Sequence, residues 1–296
     1  MKLRRSMLLV PAGDERKIAK ALAAPTDVVM LDLQDSVPFD DAAKARAREV
    51  LGRTLTGRAP TRCEVNVRVN AIGSAWLRDD LEMVVAAAAD SVTFAELRTV
   101  DDVRSFEQML RDIAGSRTPP RVLLDVETPA AICNLEAIAA AATLVDGMMV
   151  GVNDYALEVH SSGALFGQKG EPSQDHLTWI RPKTVAVARM HGWTVADAVM
   201  LADPRDLAAA EVAMHGSKRM GFDGWIVLYP PQLEATNEVF GPSATEVAWA
   251  EEVVARYARE QALPVAERPA TVARQHLQLA RYLLERRQQV LEISSR

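Results

Sequence analysis

The chain has 296 residues, 49% hydrophobic and 25% charged, with a formal charge of −6. This is a globular composition that can bury a sizeable core, and the length suits one large barrel or two ordinary domains. The acidic balance without a dominant basic cluster argues against nucleic acid as a partner, and no run approaches the ~20 apolar residues of a membrane span.

The chain opens "MKLRRSMLLVPAGDERK", with basic residues ahead of apolar ones as in a signal peptide. The apolar run is too short for a signal and is interrupted by Pro11, so a buried first strand is expected. Cys63 and Cys133 are the only cysteines and no CxxC occurs, so reduced thiols and a cytoplasmic location are expected. The five histidines lack metal-ligand spacing, which argues against zinc.

In chain order, strands are expected at 6–11, 27–33, 64–69, 91–97, 121–127, 146–151, 193–200 and 224–230. Helical stretches lie between them, such as "ERKIAKALAA", "DDAAKARAREVLGRTL" and "TVDDVRSFEQMLRDIA". Asp203 before Pro204 reads as an N-cap with proline at the first helical position. Strict strand–helix alternation predicts a parallel sheet with helices outside, and eight such units predict a closed (β/α)8 TIM barrel. A doubly wound open sheet is the structural alternative, but neither GxGxxG nor GxxxxGK[ST] is present. The barrel is assigned to residues 1–262 and a C-terminal helical extension to 263–296, packed either on a neighbouring subunit or on its own barrel.

Strand side chains alternate between faces. In "EVNVRVN" the valines suit the helix side, so Glu64, Asn66, Arg68 and Asn70 point inward. In "VVMLDLQD" Asp32 and Gln34 point inward, and in "VLLDVE" so do Leu123, Asp125 and Glu127. Polar groups near C-terminal strand ends mark the end of a barrel where active sites are built. A structural salt bridge, Arg68 with Asp32, is the alternative. Glu127 and Asp154, after strands five and six, would stand side by side at one rim. Two close carboxylates repel unless a cation or proton sits between them, and Mg2+ fits their oxygen chemistry. Taken alone, Asp154 reads equally as a turn or N-cap residue.

The motifs "RSMLLVPAGDERKIAKAL", "DVVMLDLQDSV", "VNVRVN", "DVETPAAICNLEAIAAA", "VDGMMVGVNDYA" and "GFDGWIVLYPPQLEATNEVFGPSATEVAWAEEVV" run in this order over residues 5–260. In order and spacing the chain resembles the HpcH/HpaI aldolase and citrate lyase β-subunit family, in its CitE-like branch of CoA-ester lyases. The resemblance implies a barrel of the phosphoenolpyruvate/pyruvate kinase type, Mg2+ held by Glu127 and Asp154, a substrate-binding Arg68, and homotrimers or hexamers. The chain departs from the family pattern in three places. Gln34 replaces the glutamate of LDLED, Ala95 and Glu96 replace a Pro-Lys pair, and Glu267 stands where a GKMID segment carries its aspartate.

The resemblance implies a Mg2+-dependent carbon–carbon lyase acting on a 3-hydroxyacyl-CoA such as malyl-CoA or citramalyl-CoA. Arg68 would neutralise a substrate carboxylate or oxyanion, and Asp32 and Asp35 would order the metal's waters. Gly13 and Arg16 could meet a CoA phosphate, although Gly13 also reads as a plain turn. Glu267 would exchange protons with the enolate carbon from a neighbouring subunit, or simply cap the terminal helix. Two rivals remain: a CoA-independent aldolase on 4-hydroxy-2-oxo acids, and a subunit of a larger complex. Binding of CoA esters separates the first, and co-purification with an acyl carrier subunit the second.

Overall fold

The computed structural model describes residues 1–59, 61–161, 177–198, 201, 203–267 and 272–294. Eight parallel strands close into a barrel in sequence order: β1 (Ser6–Pro11), β2 (Val28–Asp32), β3 (Glu64–Val69), β4 (Ser91–Phe94), β5 (Arg121–Val126), β6 (Val145–Val150), β7 (Thr194–Asp197) and β8 (Gly224–Val227). β1 pairs with β2 on one side and β8 on the other, so the sheet has no edge. The outer helices are α1 (Glu15–Leu22), α2 (Asp41–Leu55), α3 (Leu77–Ala86), α4 (Val100–Ala114), α5 (Pro129–Ala141), α6 (Val152–Glu158), α7 (Ile180–His191) and α8 (Leu207–Met220). The fold class expected from strand–helix alternation is therefore the one observed. Residues 199–200 of the expected seventh strand, and 268–271 before the last helix, lie outside the described residues.

Local sequence explains where elements begin. Asp14, Asp40, Thr99 and Thr128 each accept an N–H of the first turn of their helix, and Pro129 follows Thr128 at the first turn of α5. One start differs from expectation. Asp206, not Asp203, caps α8 by accepting from Ala209 N. Asp203 instead accepts from Arg205 N, two residues on, which makes a turn of the Asp-Pro-Arg stretch and delays the helix.

The two faces of each strand separate cleanly. Outward residues such as Val29, Leu31, Val65, Val67, Val92, Phe94, Val122 and Leu124 are fully buried under the helices. Phe94 stacks on Phe106 of α4, ring centroids 4.2 Å apart. Inside the barrel, Met7, Val28, Met30, Leu123, Met149 and Ala196 form one apolar cluster, joined by Leu9 and Ile226. Polar layers bracket it. At the N-terminal end Arg4 bonds Glu64, Asp146 and Thr194, and Asn66, Ser91 and Thr93 bond one another across β3 and β4. Asn70 departs from the inward expectation. It lies past the end of β3, and its amide donates to Asp80 of α3 and to the Leu33 carbonyl.

The chain divides into two compact units, Met1–Thr236 and Asn237–Arg296. After the barrel strands come α9 (Leu233–Val239), α10 (Ala244–Ala262) and α11 (Val272–Ser294). α10 and α11 pack together around Ala250, Val253, Ala280 and Leu283. Among the described residues, no helix is long and apolar enough to cross a membrane.

Candidate active site at the C-terminal rim of the barrel

Asp32 and Arg68 end neighbouring strands and are register partners. Arg68 Nε donates to Asp32 Oδ1 at 2.9 Å and Nη2 to Oδ2 at 2.8 Å, a bidentate pair with both residues buried. Asp32 also accepts the backbone N–H groups of Gln34 and Ser36, each at 3.0 Å. Burial works against its charge, but hydrogen bonding and charge from Arg68 outweigh it and hold the Asp32 carboxyl below its ordinary value. The salt bridge proposed as the alternative to a site is therefore present, but it does not exhaust Arg68. Nη1 lies 3.6 Å from Asp125 Oδ2, and Nη2 lies 3.1 Å from Asp35 Oδ2.

β5 supplies Asp125, and Glu127 follows just beyond the strand. Both are buried, and Asp125 Oδ1 has no hydrogen-bond partner. Burial pushes Asp125 up to about 7; Arg68 opposes the shift, and the charges of Asp154, Asp35 and Asp32 add to it. Burial, then the Asp125 charge, also drives Glu127 well above its ordinary value, against a bond from the Glu96 amide to Glu127 Oε1 at 2.6 Å. Two such acids share protons as a pair.

Gly151, at the start of α6, makes room for them. A Cβ there would lie 2.3 Å from Glu127 Cβ, 2.9 Å from Glu127 Oε2 and 3.0 Å from Asp125 Oδ1. Asp154 sits exposed in the first turn of the same helix. A cavity of about 320 Å³ opens here. Asp35, Arg68, Asp125, Glu127 and Asp154 line its charged side, and Leu9, Met30, Met149, Trp225, Ile226 and Leu228 its apolar side.

This donor set fits a hard divalent cation. Gly151 leaves the space in front of Glu127 Oε2 open, and Asp154 lines the same cavity. Among the described residues no three His, Cys, Asp or Glu side chains form a metal-holding group by themselves. Two carboxylates would then be completed by water and substrate oxygens, which suits Mg2+.

The structure brings Arg68, Asp35, Glu127 and Asp154 to one cavity and sets Asp32 behind Arg68. Gly13 and Arg16 are exposed, in the turn after β1 and in α1, and neither lines the cavity. Nothing lies within 4 Å of a Cβ built on Gly13. Glu267 is exposed in a short 3-10 turn of the second unit. Asp125 was not among the expected site residues, although it alternates with Glu127 on one strand face. The two departures at 34 and 96 are partners: Gln34 Nε2 donates to Glu96 Oε1 at 2.7 Å.

Comparison with known proteins agrees with this architecture. The sequence profile of the HpcH/HpaI aldolase/citrate lyase family matches residues 5–230. A (3S)-malyl-CoA thioesterase of Cereibacter sphaeroides is 31% identical over 86% of this chain and 82% of its own. The human mitochondrial citramalyl-CoA lyase is 28% identical over 88% of this chain and 77% of its own. CitE from Mycobacterium tuberculosis, solved with magnesium, acetoacetate and coenzyme A, superposes with a TM-score of 0.73 at 27% identity, covering 95% of this chain and 97% of that one. With its barrel, its rim of acids and this match, the chain belongs to the HpcH/HpaI aldolase/citrate lyase family of carbon–carbon lyases.

Proposed function

We propose that the protein is a Mg2+-dependent lyase that cleaves, or in reverse forms, a 3-hydroxyacyl-CoA such as malyl-CoA or citramalyl-CoA, with an acyl-CoA and a 2-oxo acid as the other partners. The observation that carries this is the buried, unpartnered Asp125 Oδ1 in a cavity that Arg68, Glu127 and Asp154 line on one side and apolar residues on the other. Mg2+ on Glu127 and Asp154 would supply a Lewis acid for the carboxylate and carbonyl oxygens of the 2-oxo acid fragment.

The chain's own groups do the rest. Asp32 fixes the guanidinium of Arg68, so that Nη1 meets the substrate carboxylate in a set orientation. Asp125 Oδ1 takes the proton of the substrate hydroxyl, and a value of about 7 suits a general base near neutrality. The bond between the hydroxyl-bearing carbon and the thioester α-carbon breaks. The hydroxyl-bearing carbon becomes the 2-oxo carbonyl, and the electron pair passes to the α-carbon as the thioester enolate. That carbon then takes a proton, which balances the reaction without an oxidant. The apolar wall of Leu9, Met149 and Ile226 keeps water from the enolate. Glu267 of an adjacent copy is proposed as the proton donor to the α-carbon, in a homotrimer or hexamer.

The test is a panel of malyl-CoA, citramalyl-CoA and related esters assayed with Mg2+. Matched release of acyl-CoA and 2-oxo acid is expected. The relative named a malyl-CoA thioesterase favours a second reading, hydrolysis of the thioester. Release of free CoA and the intact hydroxy acid would replace the lyase reading with that one. Cleavage of 4-hydroxy-2-oxo acids with no response to CoA esters would favour the aldolase instead.

A further inference from the structure

Gln34 and Glu96 lie outside the cavity lining, yet both connect to its acids. Gln34 is buried, and its backbone is held on both sides: its N–H donates to Asp32 Oδ1 at 3.0 Å, and its carbonyl accepts from Lys44 Nζ at 2.6 Å. Its side chain is therefore presented from a fixed base, and its Nε2 donates to Glu96 Oε1 at 2.7 Å. Its own Oε1 is buried without a partner. Turning the amide over would aim that oxygen at the Glu96 carboxylate, so the donor-out orientation is the one the pair can sustain.

Glu96 itself has φ of 54°, a left-handed conformation that a residue with a Cβ rarely adopts. That turn points its backbone N–H at Glu127 Oε1, 2.6 Å away. One residue on, the Leu97 carbonyl accepts from Thr128 Oγ1 at 2.8 Å, so the loop after β4 is docked onto the segment that carries Glu127. With Oε1 engaged, Glu127 Oε2 is the oxygen left on the Gly151 side, where the cavity lies.

We propose that Gln34 and Glu96 act as one positioning unit for Glu127. The Gln34 amide holds the Glu96 carboxylate, this holds the left-handed turn, and the Glu96 N–H then fixes the Glu127 carboxylate so that one oxygen faces the cation site. The proposal rests on the Mg2+ reading given above, and it adds two residues that touch neither cation nor substrate. A neutral amide is the residue type that can donate to Glu96 here; a carboxylate at position 34 could not.

The experiment is calorimetric titration of the full-length protein with Mg2+ alone, at one fixed pH and without substrate. Gln34→Met, which keeps the volume and removes the donor, should weaken Mg2+ binding about tenfold, the usual cost of losing an outer partner of a metal ligand. Glu96→Ala should lose a similar factor. The double variant should lose no more than either single one, because both act through the same hydrogen bond. Glu96→Gln should stay within about twofold of wild type, since its amide oxygen still accepts from Gln34. Thermal melts identify any variant that fails to fold, and Gln34→Met against Glu96→Gln then decides alone. Variants that bind Mg2+ as wild type does, or losses that add in the double variant, overturn the positioning unit. Wild-type protein that binds no Mg2+ overturns the metal reading and this proposal together.

Discussion

Arg68 and Asp32 face each other at the ends of adjacent strands, and two of the three guanidinium nitrogens of Arg68 are committed to the two oxygens of Asp32. The same guanidinium then reaches Asp125 at 3.6 Å and Asp35 at 3.1 Å. The planar fork grips Asp32 with two parallel hydrogen bonds and still reaches two further carboxylates, a fixed geometry that the point charge of an ammonium does not reproduce. Arg68→Lys is therefore expected to lower kcat/KM at least a hundredfold with the barrel intact by circular dichroism. Asp32→Ala removes the bidentate partner but leaves Asp35 and Asp125 beside the guanidinium, and should cost about 1.5–3 kcal/mol in a denaturant titration.

Glu127→Gln and Asp154→Ala should each abolish Mg2+-dependent activity. Glu127→Gln keeps an acceptor for the Glu96 N–H and removes a group that repels Asp125. Its apo melting temperature should equal or exceed that of wild type. A variant that keeps near-normal Mg2+ affinity would remove that residue from the cation site.

The acid pair sets a pH dependence with a definite sign. Asp125 has an ordinary value of ~3.9 in the unfolded chain and about 7 in the folded apo protein. Below the unfolded value both states are protonated and the contribution to stability is fully present. As pH rises from there through the folded value, the unfolded state has lost its proton while the native state still holds it, so stability falls. Melting temperatures across this window should drop for wild type, drop less for Asp125→Asn, and recover at the upper end when Mg2+ is added.

Gly151→Ala would put a methyl group 2.3 Å from Glu127 Cβ. The expected cost is about 1–3 kcal/mol of stability, the usual range for overpacking. Mg2+ affinity should fall with it, because the displaced group is the carboxylate proposed as a ligand. Unchanged affinity would show that Glu127 binds no cation.

Glu267→Gln should lower turnover strongly while leaving Mg2+ binding and oligomer mass unchanged. Mixing it with Glu127→Ala chains should restore part of the activity, because some sites would receive both intact halves. A mixed oligomer that stays inactive would place the whole site within one chain.

The alternation of "DVVMLDL", "EVNVRV" and "RVLLDVE" with helical stretches determined the parallel barrel. One closed layer of strands with helices outside is how eight such units bury apolar residues on both strand faces. The same alternation placed Asp32, Arg68 and Glu127 inward, because side-chain direction along a strand is a local property. The order of contacts among them was not local. Whether Arg68 answers Asp32, Asp35 or Asp125 depends on strand register and on how far each carboxylate leans past its strand end. Asp125 looked like one inward acid among several until the closed barrel left its Oδ1 without a partner. Gln34 and Glu96 stood 62 positions apart as two unrelated departures, and a 2.7 Å hydrogen bond across the rim made them one feature. Sequence determined which face each side chain takes, because backbone geometry repeats every two residues. Tertiary structure decided which charges meet, because that depends on register and burial across strands distant in the chain.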